Sequence, residues 1–212
     1  MKIIHYATGA LAVNTYLAFD ETNKGFIVDP GGYDKRMVKD IKDRNIDVEY
    51  ILLTHGHCDH IGGIPDLKKE FPNIKVLAHK KEKEMLEDGK MNSSYEFFGK
   101  SMSIKADVFV VDDETLTIGN MELKFIHTPG HSKGGICIYC KKDQVCFSGD
   151  TIFRASVGRT DLYGGDWDEL VNSIKTKLYT LPDDTLVLPG HMGETNIEFE
   201  KRYNPFVQDR DN

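Results

Sequence analysis

The chain is short of the groups that would commit it to several common protein classes. It has only four cysteines, Cys58, Cys137, Cys140 and Cys146, too few and too unevenly placed for a disulfide scaffold. Cys137 and Cys140 have CxxC spacing, but Ile136 to Cys140 reads as a strand, and strand residues three apart face opposite ways. They are expected to be small buried hydrophobes. Positive charge is in deficit, with 27 Lys and Arg against 34 Asp and Glu and a net charge of -7. No nucleic-acid partner is therefore expected, since such binders usually show a basic stripe. The densest basic stretch, Lys80-Lys81-Glu82-Lys83, is broken by an acid and reads as a solvated helix start. No apolar run approaches the roughly 18 residues that span a bilayer, and the N-terminus carries no secretory pattern. No membrane partner is expected, and the expected location is cytoplasmic.

What remains is ordinary globular composition, 40% hydrophobic and 29% charged. No internal repeat or low-complexity linker divides it, so one domain over residues 1–212 is expected. Strand-like runs occupy Asn14–Phe19, Gly25–Val28, Tyr50–Leu53 and Lys75–Ala78. A second group covers Val108–Val111, Met121–Ile126, Gly135–Cys140, Gln144–Ser148 and Leu186–Leu188. Helical patterns fall on residues 33–44, with Met37, Val38 and Ile41 on one face, on 65–71, 81–88, 167–179 and 197–203. Residues 89–105 read as irregular. Their aromatics Tyr95, Phe97 and Phe98 read as an anchor for the loop, with substrate contact as the alternative. Two strand groups, each closed by helices, suit two sheets packed face to face with helices outside.

One stretch stands apart. Thr54-His55-Gly56-His57-Cys58-Asp59-His60 places four good metal ligands within six residues, directly after a buried apolar strand. Such density without a cation would crowd costly polar groups together with no partner. Three later segments repeat one arrangement: an apolar strand runs into a glycine, which is followed by His131, Asp150 or His191. His5, His79 and His127 lie on or beside strands and read as structural, although His79 or Thr54 could orient a ligand. Cys58 sits between two ligands and is expected to point away.

His55-x-His57-x-Asp59-His60, followed in order by His131, Asp150 and His191, resembles the metallo-β-lactamase superfamily over nearly the whole chain. The resemblance implies an α+β fold, a four-layer αββα sandwich. It implies two divalent metal ions, with zinc favoured and iron or manganese as alternatives. His55, His57 and His131 would hold one, Asp59, His60 and His191 the other, and Asp150 would bridge them. A hydroxide between the metals would attack a carbonyl, which puts Asp59 and Asp150 among the catalytic groups.

Position 57 is His, and 59 and 60 are Asp and His, which disfavours the HxExD oxidoreductase branch. Ser148 to Phe153, Gly158-Arg159-Thr160-Asp161 and Thr128-Pro129-Gly130-His131-Ser132 resemble the glyoxalase II group. The implied reaction is hydrolysis of S-D-lactoylglutathione or a related small-molecule thioester. Only 21 residues follow His191 (212 − 191), so the likeness is to short single-domain forms without a C-terminal helical domain. Arg159 matches a basic residue near the thiol carboxylates and is the substrate-binding candidate, against a salt bridge within its loop. The same Gly158-Arg159 segment also resembles persulfide dioxygenases, which use one iron. Lactone hydrolysis is a further alternative, and the chain is expected to be a monomer or homodimer.

Overall fold

The structure is a computed structural model and describes residues 1–208. The first sheet runs β1 (Lys2–Thr8), β2 (Val13–Phe19), β3 (Lys24–Val28), β4 (Asp47–Leu52), β5 (Lys75–His79) and β6 (Val108–Val110), in that spatial order. Between these strands lie α1 (Lys35–Asp43), α2 (Cys58–Ile61), α3 (Ile64–Glu70), α4 (Lys83–Glu87) and α5 (Ser94–Phe98). The second half supplies β7 (Thr115–Ile118), β8 (Met121–His127), β9 (Ile136–Cys140), β10 (Val145–Gly149), the small hairpin β11 (Ile152–Phe153) and β12 (Ser156–Val157), α6 (Trp167–Thr176), β13 (Leu186–Pro189), β14 (Thr195–Asn196) and α7 (Ile197–Tyr203). The second sheet is ordered β14-β13-β10-β9-β8-β7.

Strand alternation explains the layers. In β2, β3, β4 and β5 the residues Leu17, Ile27, Ile51 and Val76 face outward, onto Met37, Val38 and Ile41 of α1 and Ile64 and Leu67 of α3. Their neighbours Tyr16, Ala18, Phe26, Val28, Leu52 and Leu77 face inward and meet Phe125, Ile136, Ile138 and Phe147 of the second sheet. The outer face of that sheet buries Ile126, Cys137, Cys146 and Val187 against Leu170 and Ile174 of α6 and Ile197 of α7. Three cores between four layers make the αββα sandwich. Cys137 and Cys140 do lie on opposite faces of β9, in different cores, and all four cysteines are free and buried. Among the described residues no helix is long and apolar enough to cross a membrane.

The sequence reading missed β1, whose buried pattern is poor, and the short strands β7, β11, β12 and β14. It also placed residues 89–105 in an irregular anchor. They include α5, and the three aromatics are exposed rather than buried, with Phe97 on the wall of a cavity. The anchoring falls instead to Asn92, whose carbonyl accepts the Cys58 N–H at 2.9 Å and whose side chain holds Met102 and Ser94. The basic stretch was misread in one residue. Lys80, Lys81 and Lys83 are exposed, but Glu82 turns inward and is buried.

Candidate metal centre

Topology gathers the site. β8 and β10 both pair antiparallel with β9, so they run the same way, and β10 pairs parallel with β13. The ends of β8, β10 and β13 therefore lie at one edge, and they lead into His131, Asp150 and His191. In the first sheet β3 and β4 are parallel, so Asp29 and the loop 54–57 also emerge together. The Ile136 N–H donates to the Thr54 carbonyl at 2.9 Å and joins that edge of one sheet to the other. Five predicted ligands thus come from loops, and Asp59 and His60 ride on the single turn of α2.

The candidate ligand atoms converge. His57 Nδ1 lies 2.9 Å from His131 Nε2, which lies 3.2 Å from His55 Nε2. His191 Nε2 is 3.2 Å from Asp59 Oδ2. Asp150 lies between the two groups. Its Oδ1 is 3.5 Å from His60 Nε2, and its Oδ2 is 3.7 Å from both His131 Nε2 and His191 Nε2. Gly190 makes room for this approach, since a Cβ there would meet Asp150 Oδ1 at 2.4 Å and His60 at 2.6 Å.

Hydrogen bonds behind the site set which nitrogen faces inward. The Thr54 hydroxyl donates to Asp29 Oδ2 at 2.5 Å, so His55 Nδ1 donates to Thr54 Oγ1 at 3.1 Å and leaves Nε2 free. His60 Nδ1 donates to Asp29 Oδ2 at 3.0 Å, and His131 Nδ1 donates to the Arg159 carbonyl at 2.7 Å. Asp29 was missed as a functional residue. Its signal was present, because Asp29-Pro30-Gly31 follows an apolar strand as the later ligands do. Thr54 does take the orienting role, whereas His79 stacks on His127 at 4.2 Å and accepts the Lys81 N–H.

Glu82 was missed too, and it joins two ligand loops. Its Oε2 accepts the Gly56 N–H at 2.8 Å, and its Oε1 accepts the Ser132 hydroxyl at 2.7 Å and the Gly134 N–H at 2.6 Å. The loops carrying His55 and His57 on one side and His131 on the other are therefore fixed to one carboxylate.

The electrostatics divide the site. Burial, reinforced by neighbouring imidazoles, holds His55 and His57 well below the ordinary histidine range, and burial lowers His131 as well. Burial also penalises charge on His60, but Asp150, Asp59 and Asp29 outweigh it and push His60 well up. His191 is raised by its hydrogen bond to Asp59, against burial. Burial works against ionisation of Asp59 and Asp150, yet His60 and the other imidazoles draw both carboxyls below their usual range.

Two sets of side chains could each hold a cation: His55, His57 and His131, and Asp59, His60 and His191, with the ligand atoms of each set within 4.8 Å of one another. A third grouping, Asp29, His55 and His60, shares residues with both, and there Asp29 is already engaged by Thr54. The donor set fits divalent metals. Three imidazole lone pairs converge, and His60 Nε2 and Asp150 Oδ1 are buried without a hydrogen-bond partner among the described residues. Such groups are costly to bury unless a ligand satisfies them.

Above the centre lies a cavity of about 370 Å³, with His57, Asp59, His131, Asp150 and His191 on its floor and Arg159 on its wall. The Arg159 guanidinium makes a two-pronged ion pair with Asp161, at 2.7 Å for each contact. Cys58 borders the cavity but is 1% exposed, and burial pushes its thiol up to about 11. It is protonated at neutral pH and unsuited to attack.

The family model for the metallo-beta-lactamase superfamily matches residues 8–191. Two curated relatives are similar over nearly the full length of both chains. The probable metallo-hydrolase YqgX of Bacillus subtilis is 38% identical over 208 residues, 98% of each chain. The hydroxyacylglutathione hydrolase GloC of Haemophilus influenzae is 33% identical over 207 residues, 95% of each. Among solved structures, the BLEG-1 B3 metallo-beta-lactamase superposes with a TM-score of 0.91 at 38% identity, covering 97% of this chain and 99% of that one. TTHA1623 in a di-iron-bound form gives a TM-score of 0.84 at 30% identity, covering 96% and 100%. With the ligand order, the sandwich and these matches in agreement, the chain belongs to the metallo-β-lactamase superfamily.

Proposed function

We propose that this protein is a binuclear metal-dependent hydrolase of thioesters, with S-D-lactoylglutathione or a related thiol conjugate as substrate. The observation that supports it is the position of Asp150, with one oxygen toward His60 and the other toward His131 and His191. In this reading His55, His57 and His131 hold one divalent ion and Asp59, His60 and His191 the other, with Asp150 shared. Zinc suits the nitrogen and oxygen donors, and so do iron and manganese. When bound, the ions supply nucleophilic water at neutral pH and polarise the substrate carbonyl.

The protein groups divide the remaining work. Asp29, Thr54 and the Arg159 carbonyl hold three imidazoles in the tautomer that presents a lone pair inward. Asp59 and Asp150 stay ionised beside the cavity, where as ligands their charge would balance that of the ions and fix where the attacking water lies. The departing thiolate needs little help, because a free thiol has a pKa near 8.5. This suits a cavity whose floor has carboxylates and imidazoles committed to ligation and no spare acid. Arg159 is assigned to the carboxylates of the thiol half, in exchange for Asp161.

The likeness to a hydroxyacylglutathione hydrolase supports the substrate class, and the di-iron form of TTHA1623 supports two metals of a kind that need not be zinc. The test is metal content together with thiol release from lactoyl and other thioesters in an oxygen electrode. Two metals per chain and hydrolysis without oxygen uptake are expected. One iron per chain, with oxygen consumed on glutathione persulfide, would overturn the proposal in favour of a dioxygenase. A lactone and a β-lactam run in parallel separate thioester hydrolysis from other acyl transfers, the β-lactam because of the likeness to BLEG-1.

A further inference from the structure

The cavity wall is more apolar than a lactoyl group needs. Leu11, Phe97, Phe153, Val157, Leu162 and Met192 line it. Three of these are large side chains left open to water: Leu11 at 46%, Phe97 at 47% and Met192 at 58% exposed. Such side chains singly are common on protein surfaces, but here they share the rim of one concave site. Of the three exposed aromatics on the helix bearing Phe97, it is Phe97 that faces the cavity.

The rim is held in place. Met192 follows the ligand His191 and has a left-handed backbone, φ 67°, which is uncommon for a long side chain. Ala12, next to Leu11, is left-handed as well, at φ 51°. Asn14 ties these two segments together. Its backbone N–H donates to the Gly190 carbonyl at 2.8 Å, and its amide donates to Pro189 at 3.0 Å and to Met192 at 2.8 Å. His5 Nε2 donates to Asn14 Oδ1 at 2.7 Å and fixes that amide. The Phe153 ring stands nearly perpendicular to the His191 ring, 6.3 Å away. Met192 and Phe153 thus stand beside His191, and Leu11 lines the same cavity. Arg159 lines the cavity as well, and its carbonyl holds His131. Apart from histidine, Arg159 is the one cation among the cavity-lining residues described.

From this apolar wall we infer that the substrate carries an apolar acyl chain of several carbons, seated against Leu11, Phe97, Phe153 and Met192. The inference rests on the thioester reading and narrows its acyl half. A two- or three-carbon hydroxyacyl group leaves the rim wet. A longer chain covers it, and each fully buried methylene strengthens binding about fourfold.

The experiment uses the metal-loaded protein and saturated acyl thioesters from acetyl to octanoyl, each made on glutathione and on N-acetylcysteamine. The expected kcat/KM rises about two- to fourfold per methylene between butanoyl and octanoyl on both thiols. In Leu11→Ser and Met192→Ser that dependence flattens. A second readout avoids turnover: calorimetry with S-methyl and S-hexyl glutathione, which cannot be hydrolysed. The hexyl thioether is expected to bind at least tenfold more tightly, with a more negative heat-capacity change. Thioester turnover that is flat or falls with chain length, with equal binding of the two thioethers, overturns the acyl-chain inference and leaves the thioester reading standing. No turnover of any thioester on either thiol overturns the reading and the inference with it.

Discussion

Glu82 and Gly56 meet through a backbone N–H that donates to a buried carboxylate at 2.8 Å, and the same carboxylate holds Ser132 and Gly134. One side chain therefore sets the spacing of His55 and His57 against His131. Burial pushes the Glu82 carboxyl up, and the three donors draw it back. A glutamine cannot repeat this pattern. Wherever its NH₂ is placed it faces either the Gly56 N–H or the Ser132 and Gly134 donors. Glu82→Gln should cost about 1–3 kcal/mol of stability for the donor left unsatisfied. It should also weaken metal binding about 10- to 100-fold, as loss of an outer partner does elsewhere. Thermal unfolding of the metal-free protein and competition with a chelator separate the two effects. Unchanged metal affinity would reduce Glu82 to a packing role.

Asp150→Ala tests the shared ligand. It removes both oxygens that face His60, His131 and His191, so neither set of ligands is complete across the centre. Metal content should fall from two per chain to one or fewer. Turnover should drop at least about 10³-fold, some 4 kcal/mol of transition-state stabilisation. Metal analysis of the purified variant beside its kcat/KM is the check, and full turnover with two metals would contradict the shared position.

The candidate ligands were legible in the sequence because His55, His131, Asp150 and His191 each follow closely on an apolar strand, and strand ends in such a sandwich collect at one edge. The cores were legible because Leu17 and Ala18, or Ile51 and Leu52, alternate between them. The orienting residues were harder to see. Asp29 looks like the start of a turn, and only its hydrogen bonds to Thr54 and His60 separate it from one. Glu82 sits among lysines whose exposure is read correctly, and a single inward residue leaves no periodic trace. The aromatics of residues 89–105 misled for a different reason. Clustered Tyr95, Phe97 and Phe98 suggest burial by composition, but a five-residue helix has too little surface to bury all of them, and the place of Phe97 on the cavity wall is set by long-range packing.

Asp29→Asn keeps the size of a residue that holds both Thr54 and His60 but gives up a carboxylate oxygen. The asparagine can accept from the Thr54 N–H or from His60 Nδ1, but not from all of the present donors. His60 then loses the partner that fixes its tautomer, and the Asp59–His60–His191 site should weaken more than the His55–His57–His131 site. The expected outcome is stepwise metal loss under chelator, with one ion leaving about 10- to 100-fold more readily than in the parent. Equal loss of both ions would place the effect in the fold rather than at His60.

His79 gives a pH dependence away from the candidate metal ligands. Burial, together with His127, lowers it from 6.5 to about 4, with Lys81 and Lys177 acting in the same direction and Asp112 against. Between those values the unfolded chain binds a proton that the folded chain refuses. Stability from this residue is therefore complete above pH 6.5 and is lost as pH falls toward 4. His79→Phe retains a ring to stack on His127. Its melting temperature should fall less than the parent's between pH 7 and pH 5, by about 3 °C for a chain of this size. Parallel curves would show that His79 is not a source of acid sensitivity.

Arg159 carries two functions on one residue, and a substitution separates them. Its carbonyl accepts from His131 Nδ1, and Arg159→Ala leaves that contact in place. Its guanidinium is exposed and paired with Asp161, so its loss should change stability little. If the guanidinium leaves Asp161 for a carboxylate of the thiol half, the variant should raise KM for a glutathione thioester about tenfold and change kcat little. The same acyl group on N-acetylcysteamine, which has no carboxylate, should be turned over as by the parent. The effect should also shrink as salt is raised, because the contact is between exposed charges. Equal losses on both thiols would instead assign Arg159 to the shape of the loop that holds His131, leaving the thiol half to be recognised by other groups on the cavity wall.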